Sequence, residues 1–285
     1  MKERSHRATD PGKTYGGHGL NLLRLMTAQG RATFTVQEIG RLANEIEIAP
    51  SYLGVLLHRL TRSGWIRRVK RGTYSLSAGL PGVAQAHAFA IGMSLVDPCA
   101  VSGWAALNHH GLTDQIPRVL TLTTPRKVLT PAMRGSSRAT PSTWEVDGQL
   151  YEILTVVERH FFGYEEVWLG ESRVRVFDKE RALLDCFALP RRFGGLAEGL
   201  SILEEHLKDI NVPRLVAHAQ RYGTASVAKR VGWALEGFGA RPATIRSLQT
   251  LPMQGVRPLD PTRPVRGRRN DRWGLLENLG KRVSS

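Results

Sequence analysis

Basic and hydrogen-bonding side chains between residues 51 and 71 are the strongest chemical signal in this sequence. Arginine and lysine pair with phosphates, while serine, histidine and arginine can also hydrogen-bond to base edges in a DNA groove. Their spacing divides them into a helical set and a hairpin set. The helical set is Ser51, Val55, His58, Arg59 and Arg62, and the hairpin set is Arg67, Arg68, Lys70 and Arg71. We predict that both sets contact DNA.

The elements that must position the helical set follow the order of a helix-turn-helix. The apolar spacing from Leu20 to Met26 predicts a first helix, and Thr35-Val-Gln-Glu38 is a capping box that begins a second. Pro50 suits the first turn of a third helix. That helix would expose the helical set and bury the opposite face, which consists of Leu53, Leu56, Leu57 and Leu60.

A β-hairpin follows the third helix. Its composition predicts strands from Trp65 to Val69 and from Thr73 to Leu76, with Lys70-Arg71-Gly72 at the tip. The hairpin set would then lie on a wing beside the third helix. A helix that fits the major groove next to a basic wing is typical of DNA-binding proteins. The same arrangement also occurs in docking modules that do not touch DNA, and this alternative stays open.

The distribution of charge favours nucleic acid over a docking role. The chain has a net charge of +15. Residues 1–80 hold 13 Lys and Arg against 5 Asp and Glu, a net charge of +8, and residues 240–285 hold 10 against 3, a net charge of +7. The residues between are balanced at 17 against 17. Since phosphate contacts release counterions and drive association, this asymmetry indicates a polyanionic partner.

The rest of the sequence predicts an α+β fold whose helices are concentrated late in the chain. A length of 285 residues indicates two domains. We place a winged helix-turn-helix at residues 15–80 and a mixed α/β domain at residues 81–240. Residues 241–285 form a basic, proline-containing extension that we expect to be extended. Trp273 and Leu275 would pack it on the second domain, and a free disordered tail is the alternative.

Within the second domain, the pattern predicts a helix that begins at Asp97-Pro98 and runs through Leu107. A basic, turn-rich loop is expected at residues 126–141. The expected strands are 119–123, 143–146, 151–157 and 173–177, and the expected helices are 83–95, 179–189, 196–208, 213–222 and 224–238.

The composition predicts a soluble, cytoplasmic protein that does not contact a membrane. The N-terminus lacks the apolar segment of a signal peptide, and no apolar run approaches the ~20 residues of a membrane span. Cys99 and Cys186 are far apart in apolar surroundings. This usage favours buried thiols in a reducing compartment over a disulfide.

His109 and His110 lie at a predicted helix end beside Asp114, where a metal site could be considered. Adjacent side chains on a helix point about 100° apart, so we do not expect these two to converge on one ion. Phosphate-binding glycine motifs are absent from the sequence. The sequence therefore predicts no metal site and no cofactor.

Three carboxylates near Lys179 could serve a nuclease. They are Asp178, Glu180 and Asp185. However, Asp178 is well placed to cap the following helix, and Glu180 could form an ion pair with Arg181 at the start of that helix. We favour these structural roles and expect no catalytic residues.

Six segments, in order over residues 18–278, carry a resemblance to a known family. They are GWIRRVKRGTY (64–74), VSGWAALNHHGLTDQ (101–115), FDKERALLDC (177–186), FGGL (193–196), AKRVGWALE (228–236) and, at residues 259–273, LDPTRP followed by GRRNDRW. With these segments the chain resembles AbiEi-type antitoxins of abortive-infection, type IV toxin–antitoxin systems, in which the first segment is the wing hairpin.

The resemblance implies a DNA-binding antitoxin and transcriptional autorepressor in phage defence. The winged helix would bind inverted repeats of operator DNA in its own promoter. The C-terminal domain would counteract a cognate nucleotidyltransferase-like toxin, and the protein would not be an enzyme. One alternative is a winged-helix enzyme whose C-terminal domain processes nucleic acid or modifies the toxin. Another is a ligand-responsive regulator without a toxin.

Overall fold

The structure is a computed structural model that describes residues 11–77, 86–131, 133 and 142–279. The chain divides into two compact units. The first unit runs to Leu95 and includes Trp168–Val174, and the second consists of Val96–Val167 and the residues from Arg175 onward. Helices and three separate sheets are combined in the described residues, so the predicted α+β class is confirmed. The domain boundaries given above stay predictions.

The first unit contains the elements of a winged helix-turn-helix. In chain order they are α1 (Pro11–Ala28), β1 (Phe34–Thr35), α2 (Val36–Glu45), α3 (Pro50–Arg62), β2 (Ile66–Lys70) and β3 (Thr73–Leu76). Both β1 and β2 pair antiparallel with β3, which gives the sheet order β1-β3-β2. A further helix, α4 (Ala88–Leu95), belongs to the same unit.

Local sequence signals begin α2 and α3 as predicted. The backbone amide of Glu38 donates to the Thr35 hydroxyl at 3.2 Å, and the Thr35 amide donates to the Glu38 carboxylate at 2.7 Å. The capping box is therefore confirmed. Pro50 occupies the first turn of α3, where the missing amide hydrogen costs nothing. Gly64 adopts a φ of 76°, which allows the chain to turn away after α3 ends.

A six-stranded mixed sheet organises the second unit. Its strands are β4 (Ala100–Ser102), β5 (Val119–Thr124), β6 (Thr143–Val146), β7 (Gln149–Thr155), β8 (Tyr164–Leu169) and β9 (Ser172–Phe177). The strand order is β6-β7-β5-β4-β9-β8. The strand β4 is antiparallel to β5 and parallel to β9, while β5 is parallel to β7. The short helix α5 (Gly103–His109) follows β4 directly.

Five helices follow the sheet. They are α6 (Lys179–Ala188), α7 (Leu196–Glu205), α8 (Val212–Tyr222), α9 (Ala225–Gly237) and α10 (Pro242–Gln249). The Asp178 carboxylate accepts a hydrogen bond from the Arg181 amide at 2.7 Å, so its predicted role as the cap of α6 is confirmed. The helices lie late in the chain, as the sequence pattern indicates.

The C-terminal residues pack on α9 through a tryptophan. Trp273 has no exposed surface, and its indole nitrogen donates to Glu236 at 2.6 Å. Its ring lies against Gly232, where a side-chain Cβ would come within 2.2 Å of it. Three short strands complete the segment in the order β10-β12-β11. They are β10 (Arg257–Pro258), β11 (Arg268–Asn270) and β12 (Leu275–Glu277).

Some predicted elements in the second half of the chain are wrong. The expected helix from Asp97-Pro98 is replaced at its start by β4, whose central residue Val101 pairs with both β5 and β9. The strand β4 has three residues, all of them buried, so its sequence cannot show the alternation of buried and exposed residues that identifies a strand. The sequence does not predict β8, because the first three residues of this strand are all exposed and its exposed and partly buried residues do not alternate regularly. Within the supposedly extended tail, Ile245 and Leu248 bury one face of α10.

Two expectations fall partly on residues that are not described. Residues 132 and 134–141 of the expected basic loop, and residues 83–85 of the expected helix before α4, lie outside the described residues. Among the helices that are described, none combines the length and apolar character needed to cross a membrane.

Replacing Gly232 by alanine is expected to destabilise the protein, because the added methyl group would collide with the Trp273 ring. Overpacking of this kind costs about 1–3 kcal/mol. Gly237→Ala, in the same helix, is the matched control, since its Cβ would meet no atom within 4 Å. It should leave the free energy of unfolding unchanged or raise it by up to about 1 kcal/mol. Urea denaturation measures both, and equal stability of the two variants would contradict the packing of Trp273.

Candidate nucleic-acid interface

The exposed face of α3 carries the whole helical set. Its five members, Ser51 to Arg62, are exposed, whereas the four leucines of the opposite face are buried. Val55 keeps 47% of its surface accessible, which is high for an apolar residue in the middle of a helix. The outward orientation predicted for these side chains is therefore confirmed, and their contact with DNA stays a prediction.

Two features of this face allow a binding partner to approach α3 closely. The Arg59 guanidinium donates to the Tyr52 hydroxyl on the same helix at 3.3 Å, which restricts the rotamers of a long side chain. Gly54 lies on the same side, and a Cβ there would meet no protein atom within 4 Å. The backbone of α3 is therefore accessible between Ser51 and His58.

The wing presents two adjacent exposed arginines on a strand whose register shifts just after them. Arg67 and Arg68 are both exposed, although they lie between the buried residues Ile66 and Val69. The register of β2 against β3 shifts between Arg68 and Lys70. A bulge of this kind re-aims side chains that regular pleating would send to opposite faces. Arg71 is exposed in the turn that follows.

Lys70 differs from the other members of the hairpin set. It is half-buried, and its ammonium group donates to the backbone carbonyl of Leu95 at 3.4 Å. Leu95 ends α4, so spacing within the wing could not indicate this contact. Because Arg67, Arg68 and Arg71 are exposed, they are better presented for phosphate binding than the half-buried Lys70 is.

The capping carboxylate of α2 is also part of an ion pair. Arg31 lies 2.7 Å from the second oxygen of Glu38. Burial raises the pKa of Glu38, but the hydrogen bonds from Thr35 and Arg31 outweigh this effect, so its pKa lies below the usual value. The cap that holds α2 in front of α3 therefore stays charged at neutral pH.

The three candidate nuclease carboxylates are used inside the second unit. Asp178 caps α6 and also accepts from the His218 ring at 2.9 Å. Burial raises the pKa of Asp178, and the hydrogen bonds from His218 and the Arg181 amide lower it by more. Asp185 is buried and pairs with the Arg181 guanidinium, while burial raises its pKa.

The predicted ion pair between Glu180 and Arg181 is wrong. Glu180 instead accepts from the Asn211 amide at 2.8 Å and lies 3.7 Å from the Arg214 guanidinium. Adjacent residues on a helix leave it in different directions, so Arg181 pairs one turn later with Asp185. None of the three carboxylates is exposed.

The ring nitrogens of His109 and His110 approach each other, although the sequence predicts diverging side chains. One ring nitrogen of each lies within 4.8 Å of the other and of a carboxylate oxygen of Glu165. The helix α5 ends at His109, and His110 is its C-cap, so the angle between helical neighbours no longer applies. Glu165 lies on β8, far along the chain, where spacing could not reveal it.

An exposed helix-turn-helix face beside an arginine wing defines the class of winged-helix DNA-binding proteins. Residues 23–77 match the model of the family described as "Transcriptional regulator, AbiEi antitoxin". This match confirms the resemblance seen in the sequence: residues 23–77 are similar to the AbiEi antitoxin family of transcriptional regulators.

One solved structure extends the likeness to nearly the whole chain. The crystal structure of the RV2827C protein from Mycobacterium tuberculosis is similar over 92% of each chain, with a TM-score of 0.64 and 15% sequence identity. At this identity the likeness shows a shared fold. The comparison with curated proteins gives no significant match.

Removal of the wing arginines is expected to flatten the salt dependence of DNA binding. Each phosphate contact adds roughly 0.9 to the slope of log affinity against log salt concentration. A triple variant of Arg67, Arg68 and Arg71 to alanine should thus lower the slope by up to about 3 on promoter and random DNA alike. Fluorescence anisotropy over a salt series measures this. Arg24→Ala, at an exposed position of α1, is the control, and an equal loss there would contradict the wing assignment.

The substitution Gly54→Ala should separate stability from DNA binding. The methyl group meets no protein atom, so the free energy of unfolding should rise by up to about 1 kcal/mol. If α3 enters the major groove, the same methyl group crowds the DNA and lowers the affinity. The control is Gly17→Ala on α1, where a Cβ would also meet no atom within 4 Å. It should raise the free energy of unfolding without lowering the affinity for DNA. Identical affinities of the two variants for promoter DNA would show that α3 is not the groove helix.

Proposed function

We propose that this protein is a DNA-binding antitoxin and transcriptional autorepressor. It binds inverted repeats of operator DNA in its own promoter and counteracts a cognate nucleotidyltransferase-like toxin. The observation that carries the DNA-binding part is the exposed face of α3 beside the three exposed wing arginines. The AbiEi antitoxin family match over residues 23–77 supports the antitoxin part.

The two sets of side chains divide the work of recognition. A major groove about 12 Å wide admits α3, where serine and arginine can hydrogen-bond to base edges and Val55 can contact a thymine methyl group. These residues read the sequence. The wing arginines bind phosphates, which fixes the register on the duplex but carries no sequence information. Arg59, held by Tyr52, loses little freedom on binding.

The second unit has a role other than DNA binding in this proposal. Its excess of positive charge is confined to residues 240–285, whereas residues 81–239, which include its sheet, are balanced in charge and offer little attraction to a polyanionic partner. It has its own six-stranded sheet and buried helices, and it can therefore act as a separate module. We assign antagonism of the toxin, and thereby phage defence, to this unit.

An enzymatic second unit has less support. Asp178, Glu180 and Asp185 are committed to a helix cap, a loop amide and an ion pair, and none of them faces solvent. A general base must come within hydrogen-bonding distance of its substrate. These three buried side chains are not accessible to a substrate. We therefore assign the protein no catalytic activity of its own.

The proposed place of action is the cytoplasm, where the operator and the toxin would be. Both cysteines, Cys99 and Cys186, are buried and unpaired with each other. Burial raises the pKa of the Cys186 thiol, so this side chain is inert packing material and is protected from oxidation.

Repression and neutralisation of the toxin should separate when each unit is altered in the full-length chain. The triple wing variant should lose repression of a promoter reporter yet still rescue cells that express the cognate toxin. Trp273→Ala removes a fully buried side chain of the second unit. This variant should keep repression of the reporter and lose rescue of the cells. Reporter activity and growth are scored together, with protein levels matched by immunoblotting.

Two outcomes would contradict this division. Loss of rescue in the wing variant at normal protein levels would show that neutralisation depends on DNA binding. Full rescue by a Trp273→Ala protein whose second unit is unfolded by circular dichroism would place the antitoxin activity in the first unit.

A further inference from the structure

Two imidazoles and one carboxylate lie close together on the second unit. His109 and His110 end α5, and Glu165 lies near the start of β8. One ligand atom from each of the three side chains lies within 4.8 Å of the other two. Only 10% of the His110 side chain is exposed, whereas Glu165 is exposed, so an ion from solvent would reach the site past Glu165.

The His110 ring is oriented by a backbone contact. Its Nε2 lies 2.7 Å from the carbonyl oxygen of Phe177, the last residue of β9. A carbonyl oxygen can only accept, so Nε2 carries the hydrogen and the neutral ring keeps a lone pair on Nδ1. This second contact is the arrangement that fixes the tautomer of metal-ligating histidines in proteins.

The lone pair of His110 faces a gap rather than a hydrogen bond. Its Nδ1 lies 4.0 Å from Glu165 Oε1, which is too far for a direct hydrogen bond. Ligand atoms around a tetrahedral zinc ion lie about 3.3 Å apart, given metal–ligand bonds of about 2.0–2.1 Å. The side chain of Glu165 is 48% exposed, so its carboxylate can move toward Nδ1 of His110 when an ion binds.

We propose that His109, His110 and Glu165 form a binding site for a zinc-type divalent metal ion. Two imidazole nitrogens and one carboxylate oxygen suit the first-row ions from iron to zinc, and they suit magnesium and calcium poorly. Three protein ligands leave one position for water or for a group from a partner. The bound ion clips the end of α5 to β8, two elements that are separated in the sequence by β5, β6 and β7.

Cobalt binding to the full-length, untagged protein tests this site. Co²⁺ reports a tetrahedral site by intense visible absorption, and Zn²⁺ should displace it. We expect one Co²⁺ per chain and at least a tenfold lower affinity in His109→Ala and in Glu165→Gln. The control is His206→Ala, which alters a histidine that lies 3.8 Å from Asp209 on the same unit. This variant should bind Co²⁺ as the unaltered protein does.

The two ligand variants alter side chains that are not fully buried, and circular dichroism of the metal-free proteins checks that they fold. Absence of Co²⁺ binding to the folded, unaltered protein would overturn the proposal. So would equal affinity in Glu165→Gln, His109→Ala and His206→Ala. Loss of absorption in the two ligand variants alone, with unchanged promoter binding in all of them, supports a metal site that is independent of DNA recognition.

Discussion

The leucine face of α3 is the constraint on which the DNA-binding surface depends. Four leucines of this helix are buried in one core with residues of α1, α2 and β2. Each buried leucine contributes about 1.5–3 kcal/mol, so rotation of α3 would cost far more than any surface contact could return. The helix can therefore present only one face to a partner. The polar side chains of that face, together with Val55, are held in place by the apolar residues behind them.

In the second unit a buried arginine explains why a structural segment looks like a catalytic one. Arg181 has almost no exposed surface, and a charge in such a place is unfavourable unless it is paired and hydrogen-bonded. It pairs with Asp185, donates to the His160 carbonyl at 3.2 Å and lies 4.5 Å from the centre of the Phe177 ring. These requirements place Asp185, the His160 carbonyl and aromatic rings around one cation. Asp185, one of the three carboxylates that suggest a nuclease, thus serves to bury an ion.

The sequence predicts local features well and distant contacts poorly. The capping box at Thr35 and the leucines of α3 could be recognised because helix caps and helical faces are set by residues three or four positions apart. The partner of Lys70 and the approach of Glu165 to the paired histidines depend on chain segments that only the fold brings together. The strand β4 was missed for the same reason, since its three residues are defined by their neighbours in the sheet.

The contact between Trp273 and Gly232 links folding to the direction of protein synthesis. Trp273 is added to the chain roughly forty residues after Gly232, which at bacterial elongation rates is a delay of about 2–8 s. Until then the groove on α9 that receives the indole ring remains open to water and to other apolar surfaces. The helix-turn-helix is complete by residue 76 and can fold long before. A chain that is released before Trp273 is added therefore has a complete helix-turn-helix and a second unit that lacks this contact.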